Sequence, residues 1–169
     1  MRANLVAATL LLLSVGCTAK KSEELTQQQK DQVKNEVKAS LDSLVARWAG
    51  INAEGAMQYF APDVAIEGDS SRGSYEGYRQ SWIDFNKTAA TIRVTRFRED
   101  YLVLAKDLAI STWVGKNENI LKSGDTLTFG LLSYTDVWKK VAAQWKVVYQ
   151  TQSGTPVIHK ATAAHRPRR

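Results

Sequence analysis

The sequence predicts an α+β domain in which three N-terminal helices pack against one face of a curved antiparallel sheet. Two observations carry this expectation. Apolar residues recur every three or four positions as far as Lys87, and every second position from Thr91 onward. The segments of the second half are joined by turns such as Lys106-Asp107 and Ser123-Gly124-Asp125, which suit hairpins and are too short for crossovers. With 169 residues, 44% of them hydrophobic and 24% charged, the chain has the size and composition of one globular domain with its own core.

The first helix starts at a capping box. Thr26 is placed to accept an N-terminal amide and Gln29 to reach back to it. Val33, Val37, Leu41, Leu44, Val45 and Trp48 then form one apolar stripe, and Gly50 is expected to close the helix in a left-handed cap. Asn52 caps a second, shorter helix through Met57 to Phe60, which Pro62 stops. Val64 to Glu67 reads as a short strand, and Gly68 to Gly73 has turn chemistry. A third helix runs from near Tyr75 to Lys87, and its Tyr78, Trp82 and Phe85 share a face that must meet core or ligand. Strands follow at Ile92/Val94, Tyr101–Ala105, Leu108–Val114, Leu127–Trp138 and Trp145–Thr151, with Lys139 to Gln144 as the last turn. The pattern ends after Gly154-Thr155-Pro156.

The N-terminus carries a different signal. Met1 to Asn4 is a short segment with one positive charge, and Leu5 to Val15 is an apolar run too short to span a bilayer as a helix. It ends in Leu13-Ser14-Val15-Gly16-Cys17, which resembles the lipobox of bacterial lipoproteins, with Ser14 where that family favours an aliphatic residue. The resemblance implies cleavage after Gly16, lipidation of Cys17, and a bacterial cell-envelope location on the periplasmic or extracytoplasmic face. The domain organisation that follows is a signal peptide over 1–16, a polar tether over 17–25, the folded domain over 26–154 and a small, basic, disordered tail over 155–169. Cys17 is the only cysteine, so an internal disulfide is excluded.

Charge narrows the partners. The formal net charge is +6, but sixteen Lys and Arg face seventeen Asp and Glu between Ser22 and Gly154, so the excess lies at the two ends. This is not a basic groove, and nucleic acid is not an expected partner. The basic tail offers a salt-sensitive contact with anionic lipid or wall polymers.

From Val33 to Ser153 the chain resembles the SnoaL-like branch of the nuclear transport factor 2-like superfamily, a cystatin-like α+β cone of curved antiparallel sheet closed by three helices. The likeness rests on Arg47-Trp48, on Met57-Gln58-Tyr59-Phe60-Ala61-Pro62-Asp63-Val64-Ala65-Ile66, on Gly77, and on Tyr134-Thr135-Asp136-Val137-Trp138 followed by Gln144-Trp145-Lys146-Val147-Val148. It implies a cone enclosing an apolar pocket, and members of the superfamily range from isomerases, cyclases and dehydratases to binding and dimerisation modules.

Laid over the ketosteroid isomerases of that superfamily, the positions of base, tyrosine and second acid fall on Gly68, Trp48 and Leu131, so all three roles are empty. A slip of one residue brings in Asp69. Many SnoaL-like chains carry a histidine on the last strand, where Tyr149-Gln150-Thr151 stands here; His159 and His165 both lie in the tail. The residues carry no metal-ligating cluster, no Cys/His or Ser-His-Asp set and no phosphate-binding glycine pattern, so no cofactor, metal or catalytic residue is assigned. Among the remaining carboxylates, Glu67 reads as solvent-facing and Asp136 shares strand parity with the apolar Leu132, Tyr134 and Trp138. Arg93, Arg96 and Arg98 with Glu99 and Asp100 read as a mixed-sign solvated face or dimer rim.

Trp48, Trp82, Trp113, Phe129 and Tyr134 are the expected ligand-binding residues, offering polar handles in an apolar wall. The leading expectation is a lipid-anchored domain that binds a small, mostly apolar molecule or partner without catalysis. Two alternatives stay open. One is an isomerase- or cyclase-type enzyme run by Glu67, Asp69 or Asp136, and the other is an assembly module, with a homodimer implied by the resemblance.

Overall fold

The computed structural model describes residues 24–68 and 72–160; Cys17, Asp69 and the end of the tail, including His165, lie outside them. Helix α1 spans Gln27–Ala49, α2 Ala53–Met57 and α3 Tyr75–Thr88. The strands are β1 (Phe60–Glu67), β2 (Arg72–Gly73), β3 (Ala89–Ala105), β4 (Leu108–Leu121), β5 (Thr126–Val141), β6 (Gln144–Ser153) and β7 (Pro156–His159). The sheet runs β2-β1-β6-β5-β4-β3, with β7 also paired to β5. It is curved and unclosed, and the helices pack against it as an α+β cone.

Helix α1 forms as its pattern requires. Thr26 Oγ1 accepts from the Gln29 amide and Gln29 Oε1 from the Thr26 amide, which together satisfy two of the helix's orphan donors. Val33, Val37, Leu41 and Leu44 are buried and join Ala56, Met57, Trp145 and Val147 in one core cluster. The C-terminus differs from expectation. Gly50 has φ −79°, so it is not left-handed, and the next residue, Ile51, takes φ 56° instead. Gly50 N–H still caps the carbonyl of Ala46. Asn52 Oδ1 accepts from the Gly55 amide at 2.8 Å and starts α2.

Helix α2 stops at Met57, and Phe60 to Pro62, read as the helix end and its stop, already belong to β1. Pro62 lacks an N–H, and it sits where the pairing of β1 with β6 is irregular, between Phe60 and Ala65, so no regular ladder bond is lost. That pairing is parallel, which makes the sheet mixed rather than wholly antiparallel.

The two short strands expected at Ile92/Val94 and Tyr101–Ala105 are one strand, β3. Its register shifts between Arg96 and Arg98, opposite Gly115. A Cβ on Gly115 would lie 2.3 Å from the Thr95 carbonyl oxygen, so only glycine fits the strand there. Arg96 shares the inward parity of Ile92 and Val94 and salt-bridges Asp42 of α1 and Glu99, so this arginine is a clamp between helix and sheet rather than part of a solvated face, and the bulge after it shifts the inward set to Glu99, Tyr101 and Val103. Arg93 and Arg98 pair with Glu118 and Asp100 on the outside.

The last hairpin turns on Ala142 and Ala143 only, with φ 47° and 67°, a tighter turn than Lys139 to Gln144. Pro156 to His159, expected to be disordered, pair with Phe129 back to Thr126 as β7, and Lys160 salt-bridges Asp125 at 3.0 Å. The cause is the length of β5, whose first four residues extend past the end of β6 and offer an unpaired edge.

Candidate functional site

The inner side of the sheet follows from strand parity. In β4 the residues Ala109, Ser111, Trp113, Gly115, Asn117 and Asn119 alternate inward and are buried. In β5 the inward set is Leu132, Tyr134, Asp136 and Trp138. Leu131, laid over the second acid of the ketosteroid isomerases, is 68% exposed on the outer face, so the inward neighbour at that level is Leu132.

Helix α3 closes the concave side with Tyr78, Ser81, Trp82 and Phe85, and none of its residues is fully buried because that face borders a cavity. The cavity measures about 270 Å³. Trp48 of α1 and Trp82 stack face to face with centroids 5.5 Å apart and form one wall. Leu127, Phe129, Leu132 and Tyr134 of β5 also line it, Tyr134 edge-on to Trp48 with centroids 6.3 Å apart, together with Gln152 to Gly154. Asn117 and Asn119 lie at the polar side, 2% and 1% exposed. The Oδ1 atom of each has no hydrogen-bond partner among the described residues. The lining includes no charged side chain among the described residues.

Of the five expected ligand-binding residues, Trp48, Trp82, Phe129 and Tyr134 line this cavity. Trp113 does not reach it. It stacks on the far side of Tyr134 at 4.4 Å and borders a small inner void of about 20 Å³. Sequence reasoning missed Asn117 and Asn119, although both continue the inward parity of Ser111 and Trp113.

The inner void is bordered by a buried carboxyl group. Asp136 is fully buried and borders this void with Gln150. Gln150 Nε2 donates to Asp136 Oδ1 at 2.7 Å, Ser111 Oγ reaches Oδ2 at 3.5 Å, and Trp138 Nε1 donates to Ser111 Oγ at 2.8 Å. On the cavity side, the Tyr78 hydroxyl donates to Gln150 Oε1 at 2.9 Å. Burial pushes the Asp136 carboxyl up to about 7, against the opposing effect of the Gln150 and Ser111 hydrogen bonds. Trp48, Tyr78, Trp82 and Tyr134 are common to the cavity and the inner void, so these four rings partition the carboxyl from the larger space.

The other carboxylates are placed differently. Glu67, expected toward solvent, is half-buried and accepts from the Tyr149 hydroxyl at 2.8 Å. Glu36 of α1 accepts from Lys140 Nζ at 2.7 Å and Trp145 Nε1 at 2.9 Å, and these bonds hold its carboxyl down to about 2. No group of three or more His, Cys, Asp or Glu able to hold a metal occurs among the described residues.

No protein-family model matches the sequence, and no curated protein does. Solved structures match the fold. A protein named provisionally as a scytalone dehydratase from Novosphingobium aromaticivorans superposes with a TM-score of 0.72 at 11% identity, over 85% of this chain and 99% of that one. A nuclear transport factor 2-like superfamily protein from Salmonella enterica gives 0.66 at 14% identity, over 83% and 99%. A nuclear transport factor 2-like protein of unknown function from Pseudomonas putida gives 0.62 at 12% identity, over 73% and 87%. The chain therefore has the nuclear transport factor 2-like fold, the cone-shaped α+β class that its elements and cavity define.

Proposed function

We propose that this protein is an exported, lipid-anchored domain of the SnoaL-like kind that binds a small, largely apolar molecule in its cone. The observation that carries the reading is the 270 Å³ cavity, walled by aromatic rings and without a charged lining residue among the described residues. Its size sits near the lower end of small-molecule sites, and its mixture of apolar wall and few polar groups is what such sites have in common. Native mass spectrometry of the protein gently purified from its own host tests this. A stoichiometric small-molecule adduct is expected, and only ligand-free species would remove the reading. The lipid anchor rests on the lipobox-like Cys17. Fatty-acid labelling that persists in Cys17→Ser would overturn it.

A second reading, a carboxylate-dependent isomerase or cyclase, is favoured by Asp136. A carboxyl poised near neutrality can both take and return a proton. The four rings between it and the cavity weigh against this reading, since a substrate must displace them to reach Oδ1 or Oδ2. Turnover of any substrate that survives in Asp136→Asn would end it. A homodimer through the outer sheet face is a third reading. Leu102, Ile110 and Val137 lie side by side across three strands of that face, and Phe97, Leu104 and Leu131 are also exposed there. Light scattering that finds a monomer at tens of micromolar would sink it.

A further inference from the structure

We infer that Asp136, Gln150, Tyr78 and Gln152 form a hydrogen-bond relay that reverses direction when Asp136 gains a proton, and so passes the state of the buried carboxyl to the lining of the cavity. The relay is built from the chain's own side chains and goes beyond the ligand-binding reading above, which it does not need.

With Asp136 ionised, both of its oxygens only accept. Gln150 Nε2 donates to Oδ1 at 2.7 Å, which leaves Gln150 Oε1 to accept from the Tyr78 hydroxyl at 2.9 Å. The same hydroxyl lies 3.5 Å from Oε1 of Gln152, a residue of the cavity lining. Protonated Asp136 does not fit this order. A proton on Oδ2 faces Ser111 Oγ across a long 3.5 Å, and that oxygen already accepts from Trp138 Nε1 at 2.8 Å. Oδ1 lies closer to its neighbour, Gln150 Nε2, but an amide nitrogen has no lone pair for a proton carried there. Turning the Gln150 amide over exchanges its nitrogen and oxygen without changing its shape, and presents Oε1 to Asp136 and Nε2 to the Tyr78 oxygen. The Tyr78 hydrogen then has to leave Gln150, and the acceptor within its reach is Gln152 Oε1.

The surroundings place this reversal near neutrality. Helix α1 and strand β1 present only aliphatic and aromatic side chains to the void beside the carboxyl, β4 adds the uncharged Ser111 and β6 the uncharged Gln150, and the titratable groups that face it are Tyr78 of α3 and Tyr134 of β5. Burial holds both tyrosine hydroxyls above their ordinary value, so both stay protonated, and no cation among the described residues borders the void. The protonated order removes a buried charge and adds the Tyr78–Gln152 bond, consistent with a carboxyl pushed up to about 7. By linkage, an occupant of the cavity that favours one order changes the proton affinity of Asp136, and protonation changes the affinity for that occupant by the same factor.

The test is nuclear magnetic resonance of the isotope-labelled full chain, followed from pH 5 to pH 9 without any ligand. The side-chain amides of Gln150 and Gln152 and the Cζ resonance of Tyr78 are expected to shift together, with one midpoint near pH 7. All three shifts should be lost in Asp136→Asn. In Tyr78→Phe the Gln150 shift should remain and the Gln152 shift should vanish. A Gln152 shift that survives in Tyr78→Phe is the bare field of the carboxylate and overturns the inference, as do shifts that persist in Asp136→Asn. In the unaltered protein, a Gln152 amide that stays still while Gln150 titrates, a Tyr78 resonance that does not follow, separate midpoints, or no titration of the three each overturn it as well. The Tyr78 resonance decides the matter even if the phenylalanine variant fails to fold.

Discussion

Gln150 Nε2 donates to Asp136 Oδ1 over 2.7 Å, where Gln150 is 3% and Asp136 0% exposed. One neutral amide and a 3.5 Å contact from Ser111 do not replace the hydration of a carboxylate, so burial raises its pKa to about 7 from an ordinary value of 3.8. Between those values the folded chain holds a proton that the unfolded chain has released. Stability must therefore fall as pH rises through this window, and the penalty is fully present above it.

Asp136→Asn removes that ionisation and keeps an oxygen for Gln150. The variant is expected to be more stable than the unaltered protein at pH 8, by roughly 2–4 kcal/mol, and within about 1 kcal/mol of it at pH 4. Urea unfolding at the two pH values reads the difference. A gain of the same size at both would mean that ionisation is not its cause.

Glu36 works with the opposite sign. Hydrogen bonds from Lys140 and then Trp145 lower its carboxyl to about 2 from 4.5, so its contribution is present above pH 4.5 and disappears as pH falls toward 2. The group is partly open to water, and screening limits the effect to about 1 kcal/mol. Glu36→Gln should cost about that much at pH 7 and nothing near pH 2, measured by unfolding across the range. A deficit that persists at pH 2 would assign the loss to packing of α1 on the β5–β6 hairpin instead.

Much of this architecture is legible in the residues, and the misses have physical reasons. The stripe from Val33 to Leu44, the caps at Thr26 and Asn52 and the turns at Lys106-Asp107 and Ser123-Gly124-Asp125 are local signals, and the chain obeys them. Local pattern fails where a partner distant in sequence decides. Arg96 looks solvated in a basic run, yet it shares the inward parity of Ile92 and Val94, and only the fold brings Asp42 of α1 to it. Pro156 to His159 become a strand only because β5 leaves an edge for them. For the candidate site, the aromatic wall is readable from period, and Asp136 from its place between Tyr134 and Trp138. Asn117 and Asn119 are not, because polar residues alternating on a strand ordinarily face water.

The link between cavity and carboxyl gives a further prediction. The Tyr78 hydroxyl donates to Gln150 Oε1 at 2.9 Å, and its ring borders the cavity. Tyr78→Phe keeps the ring contacts with Phe60 and Trp82 but leaves the Gln150 carbonyl without this donor. A loss of about 1–2 kcal/mol is expected in denaturant unfolding. No loss would show that Gln150 finds another donor and that the link is not a structural one.

The hairpin between β5 and β6 carries strain that a substitution can release. Ala142 and Ala143 both have positive φ, 47° and 67°, and each costs roughly 1 kcal/mol in that region because Cβ crowds the following carbonyl. A two-residue turn of this form favours Asn followed by Gly. The Ala142→Asn/Ala143→Gly double variant keeps the pairing of Val141 with Gln144, and neither residue belongs to the cone's core. It should raise stability by about 1 kcal/mol, the relief at two positions being partly offset by the unfolded-state entropy of glycine. Thermal unfolding would then shift upward by a few degrees. An unchanged or lower midpoint would mean that the turn does not hold this conformation in solution.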